Sequence, residues 1–154
     1  MLALTAAAPA AADQNAAQKF FRTKLLADSK VTHSVKVTLK KGGFVDPSVE
    51  FADLTGDGKE DAVVRVDSGG SAGHIALYVF SSATSNDLQI VYRNQDLYRA
   101  DARVNPGPTL VYSVPQYAAG DELCCPKAYK ETTLRWSASK KKFGVAQRRV
   151  VAGP

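Results

Sequence analysis

The sequence predicts an α+β fold: an N-terminal amphipathic helix packed on an antiparallel β-meander sheet. Apolar residues recur at helical spacing ahead of residue 28. From residue 34 onward they alternate with polar ones or fall in short apolar runs of strand length. The runs follow one another through short polar turns with no helix between them, which argues against the crossovers a parallel sheet requires.

Residues 13–27 form the helix. Asn15 and Gln18 have capping-box spacing, Asp13 places negative charge at the N-terminus, and Ala17, Phe20, Phe21, Leu25 and Leu26 share one face. Val35, Val37 and Leu39 alternate with Lys36, Thr38 and Lys40, the pattern of a half-buried strand, before Gly42-Gly43 turns the chain. A second strand spans 48–53, and a third begins at Ala62 after a tight polar loop. The run Ile75–Phe80 is apolar on both faces and belongs at the centre of the sheet. Leu88–Arg93, Leu97–Val104 and Thr109–Val114 follow, the last two separated by Pro106-Gly107-Pro108. An irregular stretch, Pro115–Pro126, leads into a closing hairpin of Ala128–Ser137 and Phe143–Val150, across which Trp136 and Phe143 pack.

The chain has 154 residues, 45% hydrophobic and 23% charged, enough for one domain with a real core. No apolar run approaches the roughly 20 residues of a membrane helix. Residues 1–12, small and apolar and ending in Ala10-Ala11-Ala12, read as a shortened export signal or Ala-rich leader, leaving 13–154 as a single domain. Net charge is +5 and uneven: residues 91–154 hold 11 Lys and Arg against 5 Asp and Glu. Such a basic third is either a solvated face or a surface for a polyanion such as a wall polymer. Lys127, Lys130, Arg135, Lys140, Lys141, Lys142, Arg148 and Arg149 carry the second alternative. Nucleic acid is not expected as the target of an exported chain.

The sharpest motif is Asp53-Leu54-Thr55-Gly56-Asp57-Gly58-Lys59-Glu60-Asp61. Calcium takes six to eight oxygens, and loops of this kind supply them at alternate positions around a glycine bend. Asp53, Thr55, Asp57, the Lys59 carbonyl and Asp61 would be the ligands. The third position is Thr55 where Asp or Asn is usual, and Val64 stands where an EF-hand has its bidentate Glu. The alternative is a polar hairpin turn whose Asp side chains accept backbone amides.

Gly69-Gly70-Ser71-Ala72-Gly73 precedes a strand, not a helix, so it reads as a loop and not a phosphate cradle. The two cysteines, Cys124 and Cys125, are adjacent. Export favours a vicinal disulfide over free thiols, a soft-metal site or intermolecular bridges. No G-x-S-x-G elbow is present, and only His33 and His74 could assist a nucleophile. Tyr92, Tyr98, Tyr112, Tyr117 and Tyr129 intersperse the basic half, as a stacking surface or as ordinary strand tyrosines.

Four strings taken together carry a resemblance: Asp53 to Val64, Ser68-Gly69-Gly70-Ser71-Ala72-Gly73, Leu97-Tyr98-Arg99-Ala100, and Tyr117-Ala118-Ala119-Gly120-Asp121-Glu122-Leu123-Cys124-Cys125-Pro126. They resemble small exported bacterial proteins of the LppP/LprE lipoprotein type from actinobacteria, over roughly residues 48–137. The resemblance implies an envelope or secreted location and assigns no catalytic residues. No lipid-attachment cysteine follows the leader, which favours a free secreted or periplasmic protein.

These readings combine into an exported, non-catalytic binding or envelope-associated domain, with Tyr117, Asp121 and the basic residues Lys140, Lys141, Lys142, Arg148 and Arg149 as binding candidates. A metal- or His-assisted hydrolase and a polyanion-binding protein are the alternatives.

Overall fold

The computed structural model describes residues 10–153. Helices α1 (Ala10–Ala27) and α2 (His33–Lys40) come first, followed by β1 (Phe44–Val45), β2 (Glu50–Ala52), β3 (Asp61–Asp67), β4 (His74–Ser81), β5 (Gln89–Asn94), β6 (Asp101–Asn105), β7 (Thr109–Gln116), β8 (Ala128–Ser137) and β9 (Lys142–Ala152). The fold is α+β and every strand pair is antiparallel, as the sequence predicts. The meander is divided into two sheets. One has the order β1-β3-β4-β5 with β2 also on β3, and the other runs β6-β7-β8-β9.

The alternation at Val35, Val37 and Leu39 is a helix, not a strand. Thr32 Oγ1 accepts the Val35 amide as an N-cap, and Val35 and Leu39 are the buried pair, four residues apart. In eight residues a single i, i+4 pair satisfies both periods, and the threonine cap decides between them. Helix α1 begins at Ala10, three residues ahead of the predicted start at residue 13, and residues 1–9 of the leader reading fall outside the described residues. Gln18 does not close a capping box; its Nε2 donates to the Val45 carbonyl at 2.7 Å and ties α1 to β1. Phe21 and Leu25 face the core, whereas Phe20 is half exposed with the Lys24 ammonium over its ring.

Strands β3 and β4 are apolar on both faces because each face has its own cover. Ala62, Val64, Val66, Ala76, Tyr78 and Phe80 pack with Phe21, Leu25, Val35 and Leu39 from the helices. Val63, Leu77 and Val79 point the other way, onto Ala102, Leu110 and Leu134 of the second sheet. The order is therefore helices, first sheet, second sheet, with β4 central as expected. Trp136 lies opposite Phe143 with ring centroids 5.2 Å apart, confirming the closing hairpin. Glu50 bridges the sheets by accepting the Val104 amide at 3.1 Å. The strand read over Leu97–Val104 begins only at Asp101. Ahead of it, Leu97 and Ala100 donate to the Ile75 and His74 carbonyls, so residues 97–100 run irregularly beside the start of β4. Among the described residues no helix is long and apolar enough to cross a membrane.

Candidate functional site

Three of the strings that carry the family resemblance meet at one cleft of about 320 Å³. The β3–β4 turn supplies Gly70, Ser71 and Gly73, the irregular segment supplies Arg99, and the long β7–β8 loop supplies Tyr117, Leu123 and Cys124. The first two are sewn together by backbone, Arg99 N donating to the Ala72 carbonyl at 2.8 Å, and the turn itself is closed by Ser68 N donating to the Gly73 carbonyl at 2.8 Å. Gly73 is required there, because its φ is +57° and a Cβ would press on Arg99 Cα at 3.3 Å. Arg99 itself sits at φ +48°, a conformation that costs a non-glycine residue about 1 kcal/mol or more. Its guanidinium donates to the Ser71 carbonyl at 2.9 Å.

The floor of the cleft continues into a polar cluster. His74 Nδ1 lies 3.0 Å from the Ala100 carbonyl, and Nε2 lies 2.7 Å from Asp46 and 3.6 Å from Asp67. Both ring nitrogens thus face acceptor oxygens. Arg65 braces the cluster from behind, donating to the Ser48 carbonyl at 3.0 Å and pairing with Asp46 at 3.5 Å and Asp101 at 3.1 Å. Burial of Asp46 pushes its carboxyl up. The Ser48 amide, His74 and Arg65 more than offset this and hold it below the usual carboxylate range. His33 opens α2 as an exposed residue, away from the cleft lining.

The β7–β8 loop is held shut on itself. Cys124 and Cys125 are bonded to each other, the vicinal disulfide expected from the sequence. Tyr117 donates its hydroxyl to the Leu123 carbonyl at 2.7 Å and packs edge-on to Tyr98. Asp121 Oδ2 accepts the Ala118 amide at 2.9 Å and the Lys127 amide at 3.3 Å, and these bonds draw its carboxyl below the usual range. Tyr117 is therefore both a wall of the cleft and a brace of the loop, whereas Asp121 lies off the cleft lining as a staple. Of the other tyrosines, Tyr92 and Tyr112 fill the space between the sheets and Tyr129 lines the cleft, so the five do not form one stacking surface.

In the Asp53–Asp61 loop the carboxylates accept backbone amides. Asp53 takes Gly56 N at 2.8 Å and Gly58 N at 2.9 Å, and Asp57 takes Lys59 N at 3.0 Å. Asp61, 1% exposed, takes Leu54 N at 2.8 Å and Thr55 N at 2.9 Å, with Thr55 Oγ1 at 3.5 Å from its other oxygen. Gly56 and Gly58 have φ of +75° and +83°. Among the described residues no group of three or more His, Cys, Asp or Glu side chains is arranged to hold a metal ion.

The basic residues do not converge. Lys140 and Lys141 are in the β8–β9 turn and Lys142 opens β9, whereas Arg148 lies six positions further on, ~20 Å along an extended strand. Arg148 and Arg149 leave opposite faces of β9. Arg149 is committed to Glu131 at 2.7 Å, and Arg103 takes the other oxygen at 3.2 Å. The Arg149 bond, with Arg103 in support, holds the Glu131 carboxyl below its usual range against a desolvation that works the other way.

Sequence reasoning missed Asp46, Asp67 and Arg99 as partners. Asp46 is 28 positions from His74, and Arg99 is 28 positions from Ser71. The available signal was the pair of short polar strings, Ser68–Gly73 and Leu97–Ala100, which share the resemblance without sharing a periodicity.

Comparison with known proteins adds one similarity. Over 90 residues the chain is 30% identical to the uncharacterised protein YybI of Bacillus subtilis (strain 168), a match covering 51% of this chain and 34% of that protein. The chain thus spans about a third of that relative's length. No family model matches the chain, and no solved structure matches it.

Proposed function

We propose that this chain is an exported, non-catalytic binding domain whose recognition surface is the cleft between the β3–β4 turn, Arg99 and the disulfide-bonded β7–β8 loop. The observation that carries the reading is convergence: segments 69–74, 97–100 and 115–129 are separated in sequence and meet around one concavity. The turn and Arg99 are hydrogen-bonded to each other and the loop to itself before any ligand arrives, which lowers the ordering cost of binding. The adjacent-cysteine disulfide favours an oxidising compartment, and the resemblance to LppP/LprE-type lipoproteins points the same way. His74 has both nitrogens committed to acceptors, which favours binding over hydrolysis.

The test is a binding screen of the full chain on an array of bacterial wall glycans and wall peptides, run beside Ser71→Trp. Ser71 is exposed at the cleft, so the indole would fill the mouth without entering the core. The expected result is a set of bound features lost in Ser71→Trp at an unchanged melting temperature. Equal binding by both proteins would place recognition elsewhere. Cleavage products from any arrayed compound, seen by mass spectrometry, would replace the binding reading with an enzymatic one.

A further inference from the structure

We propose that the cleft binds an organic monocarboxylate, with the Arg99 guanidinium taking the carboxylate and the Tyr117–Leu123–Tyr129 side taking its apolar body. This rests on the cleft being the recognition surface and goes on to name the chemistry of the ligand.

Asp67 accepts the Gly69 amide at 2.7 Å and has His74 Nε2 at 3.6 Å, and Asp46 has His74 Nε2 at 2.7 Å and the Arg65 guanidinium at 3.5 Å. Arg99 has no such answer: among the described residues no carboxylate lies within the 4.0 Å of an ion pair. A guanidinium carries five N–H donors in a planar fork, and one of Arg99's nitrogens, Nη1, is committed to the Ser71 carbonyl. That bond fixes the plane of the fork and leaves donors for a planar oxyanion. The Arg99 guanidinium is therefore a positive charge in the lining that no carboxylate of the described residues pairs, the complement of a single negative one. A dianion would bring its second charge toward the Asp67 carboxylate in the same lining.

Shape supplies the second half. Opposite the polar turn stand Pro115, Tyr117, Leu123, Pro126 and Tyr129. Tyr117 and Leu123 are exposed and are locked to each other through the tyrosine hydroxyl, so the ring is held as a flat wall. A volume of about 320 Å³ is at the small end of ligand sites, suited to one ring or one residue and not to a long chain. The ligand that fits has a carboxylate at one end and a flat or apolar group at the other.

The experiment is a ¹H–¹⁵N NMR titration of the full chain with N-acetylphenylalanine, its neutral amide N-acetylphenylalaninamide, and phenyl phosphate. The first two probes differ only at the terminal group, an anionic carboxylate against a neutral carboxamide. The expected result is saturable shifts at the Gly70, Ser71, Gly73 and Arg99 amides with the carboxylate, and binding at least about tenfold weaker for the amide. Phenyl phosphate should be weaker than the carboxylate. Arg99→Asn keeps a residue that tolerates positive φ while removing the fork, and should lose the carboxylate preference with the fold intact. Equal binding of acid and amide, tighter binding of the phosphate, or no shift at these amides would each overturn the proposal. The wild-type acid and amide comparison stands even where Arg99→Asn fails to fold. Array binding that Ser71→Trp abolishes, together with equal acid and amide affinities, would leave the cleft as the site and remove only the carboxylate.

Discussion

Asp61 is the residue on which the β2–β3 turn depends, and its replacement gives a sharp test of that turn. The side chain is 1% exposed and one oxygen, Oδ2, accepts both the Leu54 and Thr55 amides, at 2.8 and 2.9 Å. Asp61→Ala removes that acceptor. Hydrogen bonds to a charged group are each worth about 1.5–3 kcal/mol, and a buried donor left alone costs a comparable amount. Leu54 N retains a second acceptor in the Ala52 carbonyl at 3.0 Å, so its loss is partial. The net expectation is a destabilisation of ~2–4 kcal/mol, which for a chain of this size lowers the melting temperature by roughly 5–15 °C. Asp61→Asn can keep its carbonyl oxygen at the Oδ2 position and turn its NH2 toward Thr55 Oγ1. It loses charge assistance only, for ~1–2 kcal/mol. Thermal melts by circular dichroism read both variants, in millimolar calcium and in chelator. The turn reading expects the wild-type midpoint to be the same in the two buffers. An Asp61→Ala midpoint within about 2 °C of wild type, or Asp61→Asn as damaging as Asp61→Ala, would refute the hydrogen-bond account. A rise with calcium would instead make Asp53, Asp57 and Asp61 ligands.

Three further outcomes follow from the geometry. Gly69→Ala would press its Cβ on the Gly42 carbonyl at a φ of +76°, whereas Gly70→Ala points into open space; chemical denaturation should show a loss of ~2–4 kcal/mol for the first and under about 0.5 for the second, and equal losses would contradict it. Asp46 and Glu131 have folded pKa values below their unfolded ones, so their contribution is present above pH ~4 and is lost as pH falls through the folded values. Urea midpoints between about pH 2 and 6 should therefore fall less steeply in Glu131→Gln than in wild type, and parallel profiles would count against the Arg149–Glu131–Arg103 account. Because the Cys124–Cys125 ring spans adjacent residues, it constrains little of the unfolded chain. The double serine variant should melt within about 2 °C of wild type yet show faster amide exchange across residues 118–127, and unchanged exchange there would mean that Asp121 and Tyr117 hold the loop alone.

The sequence was most legible where a pattern had one physical cause. The run Ile75–Phe80 is apolar at every position because helices cover one face and a sheet covers the other, and both covers exist. Trp136 and Phe143 pair because the turn between them is short and polar. The adjacent cysteines have each other as the nearest partner. Legibility failed where two causes produce one pattern: Val35 and Leu39 are equally a strand face and a helical turn, and the Thr32 cap that separates them was overlooked. It failed again at the cleft. The Asp46 carboxylate, the His74 ring and the Ser71 carbonyl that holds Arg99 are joined by strand register and turn geometry, neither of which leaves a trace in local spacing. Strand β1, two residues long, is too short for any periodicity.

The division of the sheets by chain order has a consequence for how the molecule is made. Of the described residues, those up to Asn94 build the helices and the first sheet, and those from Asp101 build the second. A chain emerging N-terminus first can close the core around Phe21, Leu25 and Tyr78 from nearby segments, an inexpensive search in loop entropy. The half-made product would then show the solvent a greasy back: Leu54, Val63, Leu77 and Val79 have no cover until β6–β8 dock. Such a species is sticky, and its lifetime is set by how soon the last fifty or so residues arrive. An unfinished sandwich of this kind commits to its final shape only once the C-terminal hairpin is in place.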